Sequence, residues 1–262
     1  MRSGKILVIL SAANSIPLKE GGSHKTGIFL GELTEPAEAM MKAGYELTFA
    51  SPQGVAPSID PDSYRLLYWR GSKKKLNYNK KVYSTLESKG LNSPMSLEKL
   101  AVDCGQLNEF DGLFIPGGHG PLVDLYYEDM FSSKNLSLSM GVILKHFHEK
   151  KKPTGLICHS PTVLAAAPKV NGRWIYEGYK MTAISRFTEW INEDLPGMRV
   201  LKGHVGVYPS DVLKEAGAHF VYQKIPMIPY VAEDRELMTG QDPFSAALMA
   251  KRFVKKLNDY MK

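Results

Sequence analysis

Short apolar runs and amphipathic stretches alternate along the N-terminal part of the chain. Residues 5–10 carry a continuous apolar run, which is typical of a buried strand, and residues 46–50 alternate as a second strand. Between them, residues 26–44 place apolar side chains near helical spacing and end at Gly44, which predicts a helix. A strand, a helix and a strand in this order predict a crossover unit in a parallel sheet.

The segment 55–110 interrupts this pattern. It is polar, rich in Lys, Asn, Ser and Tyr, and only weakly helical in periodicity. Its apolar residues require burial, which favours a packed, mostly helical insertion over a flexible linker. These residues are Tyr64, Leu66, Leu67, Tyr68 and Trp69. We therefore predict a single domain over residues 1–262, with a cap inserted at roughly 55–110 over one end of the sheet.

The regular pattern resumes after this segment and continues to the end of the chain. It predicts an α/β fold in which strands and helices alternate around a mostly parallel sheet. The predicted strands are 112–116, 154–157, 179–184, 218–222 and 228–232. The predicted helices are 136–149, 161–167, 187–191, 209–216 and 243–261, and residues 11–25 are predicted as a loop.

Composition and charge narrow the class of protein. The net charge of +6 comes mostly from short lysine runs, which we interpret as solvated helix ends because no nucleic-acid-binding motif accompanies them. No segment approaches the ~20 apolar residues that span a membrane. Two cysteines cannot form a disulfide framework, and the N-terminus has no export signal. We expect a cytoplasmic protein without nucleic-acid or membrane partners.

The strongest candidate for chemistry is Cys158, which follows the apolar strand 154–157 and precedes His159. A cysteine at a strand-to-helix turn lies near a helix N-terminus, which favours the nucleophilic thiolate. The alternative is an inert buried cysteine. His159 suits general acid–base chemistry, although a histidine at a helix start can simply bond to the backbone. Catalysis by this pair would also require a carboxylate that orients the ring.

Further candidates follow two other predicted strands, where parallel sheets gather their sites. Gly117 and Gly118 allow backbone N–H groups to approach a ligand and stabilise an oxyanion, or they form a plain turn. His119 beside them is a candidate lining residue. Glu32 lies within the apolar stripe of the first helix, where an inward carboxylate is costly unless it is paired or protonated.

Six segments together resemble the PfpI-type branch of the class I glutamine-amidotransferase-like superfamily. Within it, the chain is most similar to the fungal and bacterial heat-shock chaperone group with glutathione-independent glyoxalase (glyoxalase III) activity. The segments run in family order over nearly the whole chain: 26–36, 43–52, 110–120, 155–161, 177–182 and 239–243. The resemblance implies a flavodoxin-like three-layer sandwich with a helical cap, and a homodimer.

The resemblance also implies a set of site residues. It places the nucleophile at Cys158, its histidine at His159 and a buried glutamate that bonds the thiolate at Glu32. The third member of the triad falls on Glu189, with Glu193 as the substitute, because residues 183–189 depart from the commoner family pattern. The backbone N–H groups of Gly118 and His159 would form the oxyanion hole. Thr34, Glu35 and Pro36 stand where a His-Pro pair is common, which would alter the pocket rim or the dimer contact.

We expect from this resemblance a lyase of the hydro-lyase class that converts a 2-oxoaldehyde such as methylglyoxal to lactate without glutathione. No cofactor is expected. Some bacterial members carry a metal in the cap, but no metal ligands are assigned in this chain. Two alternatives remain open: an amide hydrolase, as a protein deglycase or peptidase, that uses the same cysteine, and a non-enzymatic holdase chaperone or redox sensor that binds unfolded proteins.

Overall fold

The computed structural model describes residues 4–126, 135–225 and 227–262. Its strands are short and most of them join one sheet. In chain order they are β1 (Lys5–Ile9), β2 (Ser15–Pro17), β3 (Ser23–Lys25), β4 (Glu46–Ser51), β5 (Met95–Ser96), β6 (Gly112–Ile115), β7 (Thr154–Ile157), β8 (Lys169–Val170), β9 (Arg173–Trp174), β10 (Lys180–Met181), β11 (His219–Phe220), β12 (Val231–Asp234) and β13 (Leu237–Gly240).

The helices lie between these strands along the chain. The α-helices are α1 (Leu30–Lys42), α2 (Lys73–Leu86), α3 (Leu97–Val102), α4 (Cys104–Leu107), α5 (Pro121–Asp124), α6 (Asn135–Glu149), α7 (Arg186–Glu193), α8 (Pro209–Ala216) and α9 (Ala246–Tyr260). Shorter 3₁₀ turns are Pro52–Gly54, Pro61–Tyr64, Leu66–Trp69, Ser160–Ala166 and Pro243–Ser245, and a π-helical turn covers Glu87–Leu91. No helix in the described residues is both long and apolar enough to cross a membrane.

The main sheet has seven strands in the order β12-β13-β7-β6-β1-β4-β5. All neighbours are parallel except β12 and β13. Strand β1 lies between β4 and β6, and its Val8 is opposite Phe49 of β4 and Phe114 of β6. The carboxyl ends of β6, β7 and β13 therefore meet at one edge of the sheet, where ligands bind in open α/β folds.

Helices cover both faces of the sheet, which makes three layers. Successive strand residues point to opposite faces, so Ile6 and Val8 pack on one side while Leu7 and Ile9 pack on the other. Helices α1 and α9 cover the first face, and α3, α6 and the turn Ser160–Ala166 cover the second. The predicted flavodoxin-like α/β sandwich with a mostly parallel sheet is confirmed.

Several predicted elements differ from those in the structure, and most of them lie in the C-terminal part of the chain. Strand β13 was not predicted, because the charged residues 233–236 suggest a loop. In the structure, Glu233 and Asp234 end β12, and Arg235 and Glu236 form the turn of an antiparallel hairpin. The predicted strands 179–184 and 218–222 shrink to β10 and β11, which pair with each other outside the main sheet. The predicted loop 11–25 contains the β2–β3 hairpin.

The segment 55–110 divides into two parts. Its first part, the cap segment (residues 55–94), contains Trp69, which packs against Leu30 and Leu76 and donates its indole N–H to the Ser63 carbonyl at 2.8 Å. Tyr64 and Leu67 are exposed, contrary to the expectation that they need burial. The second part departs from the predicted insertion: β5 joins the main sheet beside β4 and α3 packs on α6, because both supply apolar residues to the central core.

The loop after β1 is held by the buried carboxylate of Asp124. Its Oδ2 accepts hydrogen bonds from the backbone N–H groups of Ala12 at 2.7 Å and Ala13 at 2.9 Å. We expect Asp124→Ala to lower the free energy of unfolding by about 2–3 kcal/mol, because two buried N–H donors lose their acceptor. Urea denaturation at neutral pH measures this loss.

The matched control is Asp124→Asn, which keeps an acceptor oxygen and removes the charge. Burial raises the pKa of Asp124 to about 6 in spite of these hydrogen bonds. A carboxyl with a raised pKa is less stabilising when ionised, so the wild type should lose stability relative to Asp124→Asn as the pH rises from about 4 to about 6. Equal stability of the Ala and Asn variants would contradict the tethering role.

Candidate active site

Cys158 occupies a strained turn between β7 and the 3₁₀ turn Ser160–Ala166. Its φ of +65° lies in the left-handed region, which non-glycine residues rarely adopt. The turn is held from both sides, since the Cys158 N–H donates to Gly240 O at 2.9 Å and its carbonyl accepts from Ile184 N at 3.0 Å. The side chain is 3% exposed and lines a cavity at the carboxyl edge of the sheet. Backbone strain of this kind is frequent at nucleophiles.

The turn brings His159 into contact with the thiol. Adjacent residues on a regular strand point to opposite faces, so this contact requires the bend. Nδ1 of His159 lies 3.2 Å from Sγ of Cys158, and Nε2 lies 3.0 Å from Oε2 of Glu189. The imidazole thus bridges the sulfur and a carboxylate, the arrangement that a cysteine nucleophile with a general base requires.

Glu189 joins two histidines. It lies in the first turn of α7 and is buried, and its Oε1 is 3.0 Å from Nε2 of His119. The rings of His119 and His159 lie 4.1 Å apart between centroids. The sequence indicated His119 only as a lining residue, and its one signal was its place beside the Gly-Gly turn. Glu193 lies elsewhere, where it accepts from Val205 N and Tyr208 OH.

The two histidines have opposite electrostatic environments. Burial lowers the pKa of His159, and the charge on His119 lowers it further, so His159 is a neutral base. Burial also opposes the charge on His119, but the bond and charge of Glu189, together with Asp60 and other carboxylates, raise the pKa of His119 overall. Although burial alone would raise it, the pKa of Glu189 is held far below its usual range by His159 and His119.

Glu32 lies under the cysteine on α1 and is completely buried. Neither carboxyl oxygen has a partner in hydrogen-bond geometry within the described part of the chain, although the group lies against Gly117 and the Cys158 side chain. A Cβ on Gly117 would collide with Oε2 of Glu32 and approach Cys158 Cβ to 2.8 Å, so this position requires glycine. Burial raises the pKa of Glu32 well above its usual value, which makes a neutral carboxyl the stable form.

The thiol of Cys158 is more difficult to ionise than the sequence suggested. Burial raises its pKa, and the negative charges of Glu189 and Asp242 raise it further. The helix N-terminus was expected to favour the thiolate, but the following turn is a short 3₁₀ segment in an apolar setting. Deprotonation therefore depends on the adjacent base His159.

The Gly117–Gly118 turn leaves backbone donors beside the sulfur. Gly118 has a φ of +98°, and a Cβ there would collide with the Gly27 carbonyl. The Gly117 carbonyl accepts from Phe29 N at 3.1 Å, which fixes the turn. Among the residues that the structure describes, none accepts a hydrogen bond from the N–H of Gly118 or of His159. Both groups are therefore free to donate to a bound ligand.

Within the residues that the structure describes, two groups of side chains have ligand atoms within 4.8 Å of one another, which is close enough for a metal ion. One is His119, His159 and Glu189, and the other is Glu193, Asp194 and His204. In the first group the same atoms are already joined by hydrogen bonds, which suits a proton relay. The residues of the first group lie at the carboxyl edge of the sheet and in α7. No metal ligands are assigned in the cap.

The cavity over Cys158 is small, at about 70 Å³. This is room for a few water molecules or for one compound of a few heavy atoms. Its outer wall is mostly apolar and comes partly from the cap segment. The wall includes Phe29, Leu67, Tyr68, Ile184, Ile191 and Phe244. The site thus suits a small ligand presented to a cysteine, a histidine and a pair of backbone donors.

The chain is similar to proteins that share this architecture. Protein/nucleic acid deglycase 1 from Escherichia coli (strain K12) is 26% identical over 249 residues, which cover 94% of this chain and 78% of that protein. The solved structure of Rapid Encystment Protein 24 KDa from Francisella tularensis superposes with a TM-score of 0.75 at 23% identity, covering 97% of this chain and 99% of that one. Glyoxalase III from Candida albicans gives a TM-score of 0.68 at 22% identity, with 97% of each chain covered.

The family profile covers most of the chain. The model of the DJ-1/PfpI family matches residues 27–256, and this range includes every candidate site residue named above. The PfpI-type resemblance inferred from the six sequence segments is confirmed. On the match over these residues, the chain belongs to the DJ-1/PfpI family.

Proposed function

We propose that this protein is a glutathione-independent glyoxalase that converts methylglyoxal to lactate, a lyase of the hydro-lyase class. The observation that carries the proposal is the chain Cys158–His159–Glu189, with contacts of 3.2 Å and 3.0 Å, opening into a cavity of about 70 Å³. A compound with five heavy atoms fits such a volume. A peptide does not, which argues against a peptidase.

The first step is attack by sulfur on the aldehyde carbon. Nδ1 of His159 accepts the thiol proton, which removes the obstacle of the raised pKa of Cys158. A carbon–sulfur bond forms, and the carbonyl oxygen becomes an oxyanion. The N–H groups of Gly118 and His159 would donate to that oxygen, which then takes the proton back from His159 and gives a hemithioacetal with a neutral imidazole.

The second step moves hydrogen between two substrate carbons. His159 removes the proton on the former aldehyde carbon to form an enediol, and a proton is returned to the neighbouring carbon. The product is a lactoyl thioester on Cys158, and water cleaves it to lactate and free thiol. The sum is methylglyoxal plus water to lactic acid, without an external oxidant or reductant.

Glu32 and Glu189 support these steps. Glu189 fixes the tautomer of His159 by accepting from Nε2–H, so that Nδ1 stays an acceptor for the thiol. A protonated Glu32 can donate its O–H to sulfur when the thiolate forms, which compensates for the buried charge. We assign Glu32 as a group that tunes the nucleophile.

The direct test is lactate formation from methylglyoxal by the purified protein with no glutathione present. We expect stoichiometric lactate, quantified separately for each enantiomer. A second candidate is deglycase activity, which is favoured by the 26% identity to the Escherichia coli deglycase. It would appear as loss of a methylglyoxal adduct from a peptide faster than the adduct dissociates spontaneously. Absence of lactate, with such accelerated loss, would favour the deglycase over the glyoxalase.

The homodimer that the resemblance implies and the cytoplasmic location expected from the cysteine content are part of the same proposal. A free, buried Cys158 that must stay reduced suits a reducing compartment. Sedimentation equilibrium of the purified protein would show whether the chain is a dimer.

A further inference from the structure

The cavity over Cys158 is rich in carboxylates that the reaction steps above do not use. Asp60 and Asp62 line it from the cap segment, and Asp242 lines it from the turn after β13. These three residues are called the lining carboxylates below. Among the described lining residues there is no lysine or arginine. The basic groups present are His119 and His159, and both already share Glu189.

Hydrogen bonds hold the two cap carboxylates in place. Asp60 is 2% exposed, and its oxygens accept from the Thr26 hydroxyl at 2.9 Å and from the Asp62 N–H at 2.8 Å. Asp62 contacts Nε2 of His24 at 2.9 Å. Donors of this kind fix an ionised carboxylate without cancelling the field of Asp60. The cap therefore presents negative charge to the cavity from a rigid position.

Asp242 adds charge from the opposite wall. Its Oδ1 accepts from the N–H of Ser245 at 3.1 Å and from the Ser245 hydroxyl at 2.9 Å. Burial raises its pKa to about 6, so it is mostly ionised at neutral pH. Asp60 and Asp242 are each 2% exposed, whereas Asp62 is partly exposed. In the same wall, the ring of Tyr68 packs 4.7 Å from that of Phe29 and 5.8 Å from that of Phe244. Solvent screening around the two buried carboxylates is weak.

We propose that the lining carboxylates select substrates by charge, admitting uncharged 2-oxoaldehydes and excluding carbonyl compounds that carry a carboxylate or phosphate. They form no separate site, because they line the cavity that holds the nucleophile. The assignment to oxoaldehydes rests on the proposed function. The same field acts on the product: lactate acquires a negative charge when the thioester is cleaved, so the cavity repels it and product inhibition is weak.

The test uses a pair of reagents that differ in charge, and it needs no turnover. Iodoacetamide is neutral and iodoacetate is an anion of similar size, and both alkylate the thiolate. The rates at which the two reagents alkylate Cys158 are followed by mass spectrometry. The peptide that contains Cys158 is measured, so its alkylation is distinguished from that of Cys104. The ratio of the two rates cancels any change in thiol ionisation. Relative to N-acetylcysteine, we expect Cys158 to favour iodoacetamide by an additional factor on the order of ten.

The variants Asp60→Asn and Asp62→Asn remove one charge each and retain an acceptor oxygen. Each should lower the ratio by about twofold, and the double variant should keep only the part of the preference that Asp242 contributes. The matched control is Asp259→Asn, which removes the same charge from the exposed end of α9. It should leave the ratio unchanged. A thermal melt of each variant confirms that it is folded.

Three results would overturn the proposal. They are a wild-type ratio equal to that of N-acetylcysteine, a ratio that Asp60→Asn and Asp62→Asn leave unchanged, and a Cys158 that iodoacetamide cannot reach at all. If the protein is not a glyoxalase, a different result is expected: no lactate forms from methylglyoxal, while the ratio of the two alkylation rates stays above that of N-acetylcysteine. The two hypotheses are therefore tested separately.

Discussion

Replacing Cys158 by serine is expected to reduce lactate formation from methylglyoxal by at least about a thousandfold. The serine hydroxyl is close in size to the thiol, so the turn at φ +65° is retained. The hydroxyl is a much weaker acid, and a neutral His159 at 3.2 Å cannot generate an alkoxide from it at a comparable rate. The measurement is lactate formed per enzyme under saturating methylglyoxal, with the melting temperature of each protein determined in parallel.

Cys104→Ser is the matched control, since Cys104 is the other cysteine in the sequence. It should keep near wild-type activity. If Cys158→Ser were folded and still formed lactate, the covalent mechanism proposed for this site would be wrong. Loss of activity in both cysteine variants would point to a general effect of the substitutions.

Glu189→Gln is expected to lower lactate formation by about 100- to 10,000-fold. The carboxylate accepts from both His119 and His159 at 3.0 Å, whereas an amide offers one acceptor oxygen and one NH₂ donor. One imidazole must then change its tautomer or lose its partner. If it is His159, Nδ1 carries the proton and can no longer accept from the thiol. Steady-state kinetics should show the loss mainly in kcat.

Glu193→Gln is the control, because Glu193 lies one turn further along α7 and contacts Val205 and Tyr208. It should retain lactate formation within about threefold of the wild type, since no catalytic group touches it. The reverse outcome, with Glu193→Gln inactive and Glu189→Gln active, would assign the third member of the triad to Glu193 instead.

The Glu189 carboxylate also predicts a dependence of stability on pH. Its pKa in the folded state lies far below the usual ~4.3, so its stabilising contribution is fully present above about pH 5 and decreases as the pH falls. Glu189→Gln has no such group. Relative to this variant, the wild type should lose stability on acidification from about pH 5 to about pH 3, as measured by urea denaturation.

Local patterns in the sequence were sufficient for the frame of the fold. A continuous apolar run such as residues 154–157 is compatible with a buried parallel strand, and amphipathic runs such as residues 136–149 with a covering helix. The structure has β7 and α6 at these positions. Strand β13 was missed because the charged residues before it resemble a loop. Strand pairing depends on a second segment of the chain, and the hydrophobic periodicity of one segment does not show which segment it pairs with.

The cysteine and its histidine were also accessible from the sequence, since their place at the end of a predicted strand is a local property. The charge state of the thiol was not. A short turn after a strand suggests a favourable dipole, but burial and the carboxylates Glu189 and Asp242 raise the pKa of Cys158 instead. Asp242 is one of these carboxylates, and it is far from Cys158 in the chain.

The sequence by itself thus determined the frame of the fold, the family and the candidate nucleophile, because each depends on residues close together in the chain. The tertiary structure alone decided which carboxylate faces His159. Glu189 and Glu193 are four residues apart on α7, so they share one helix face and periodicity cannot separate them. What lies opposite each of them differs: His119 and His159 meet Glu189, while Val205 and Tyr208 meet Glu193. Such contacts arise only when distant segments pack together.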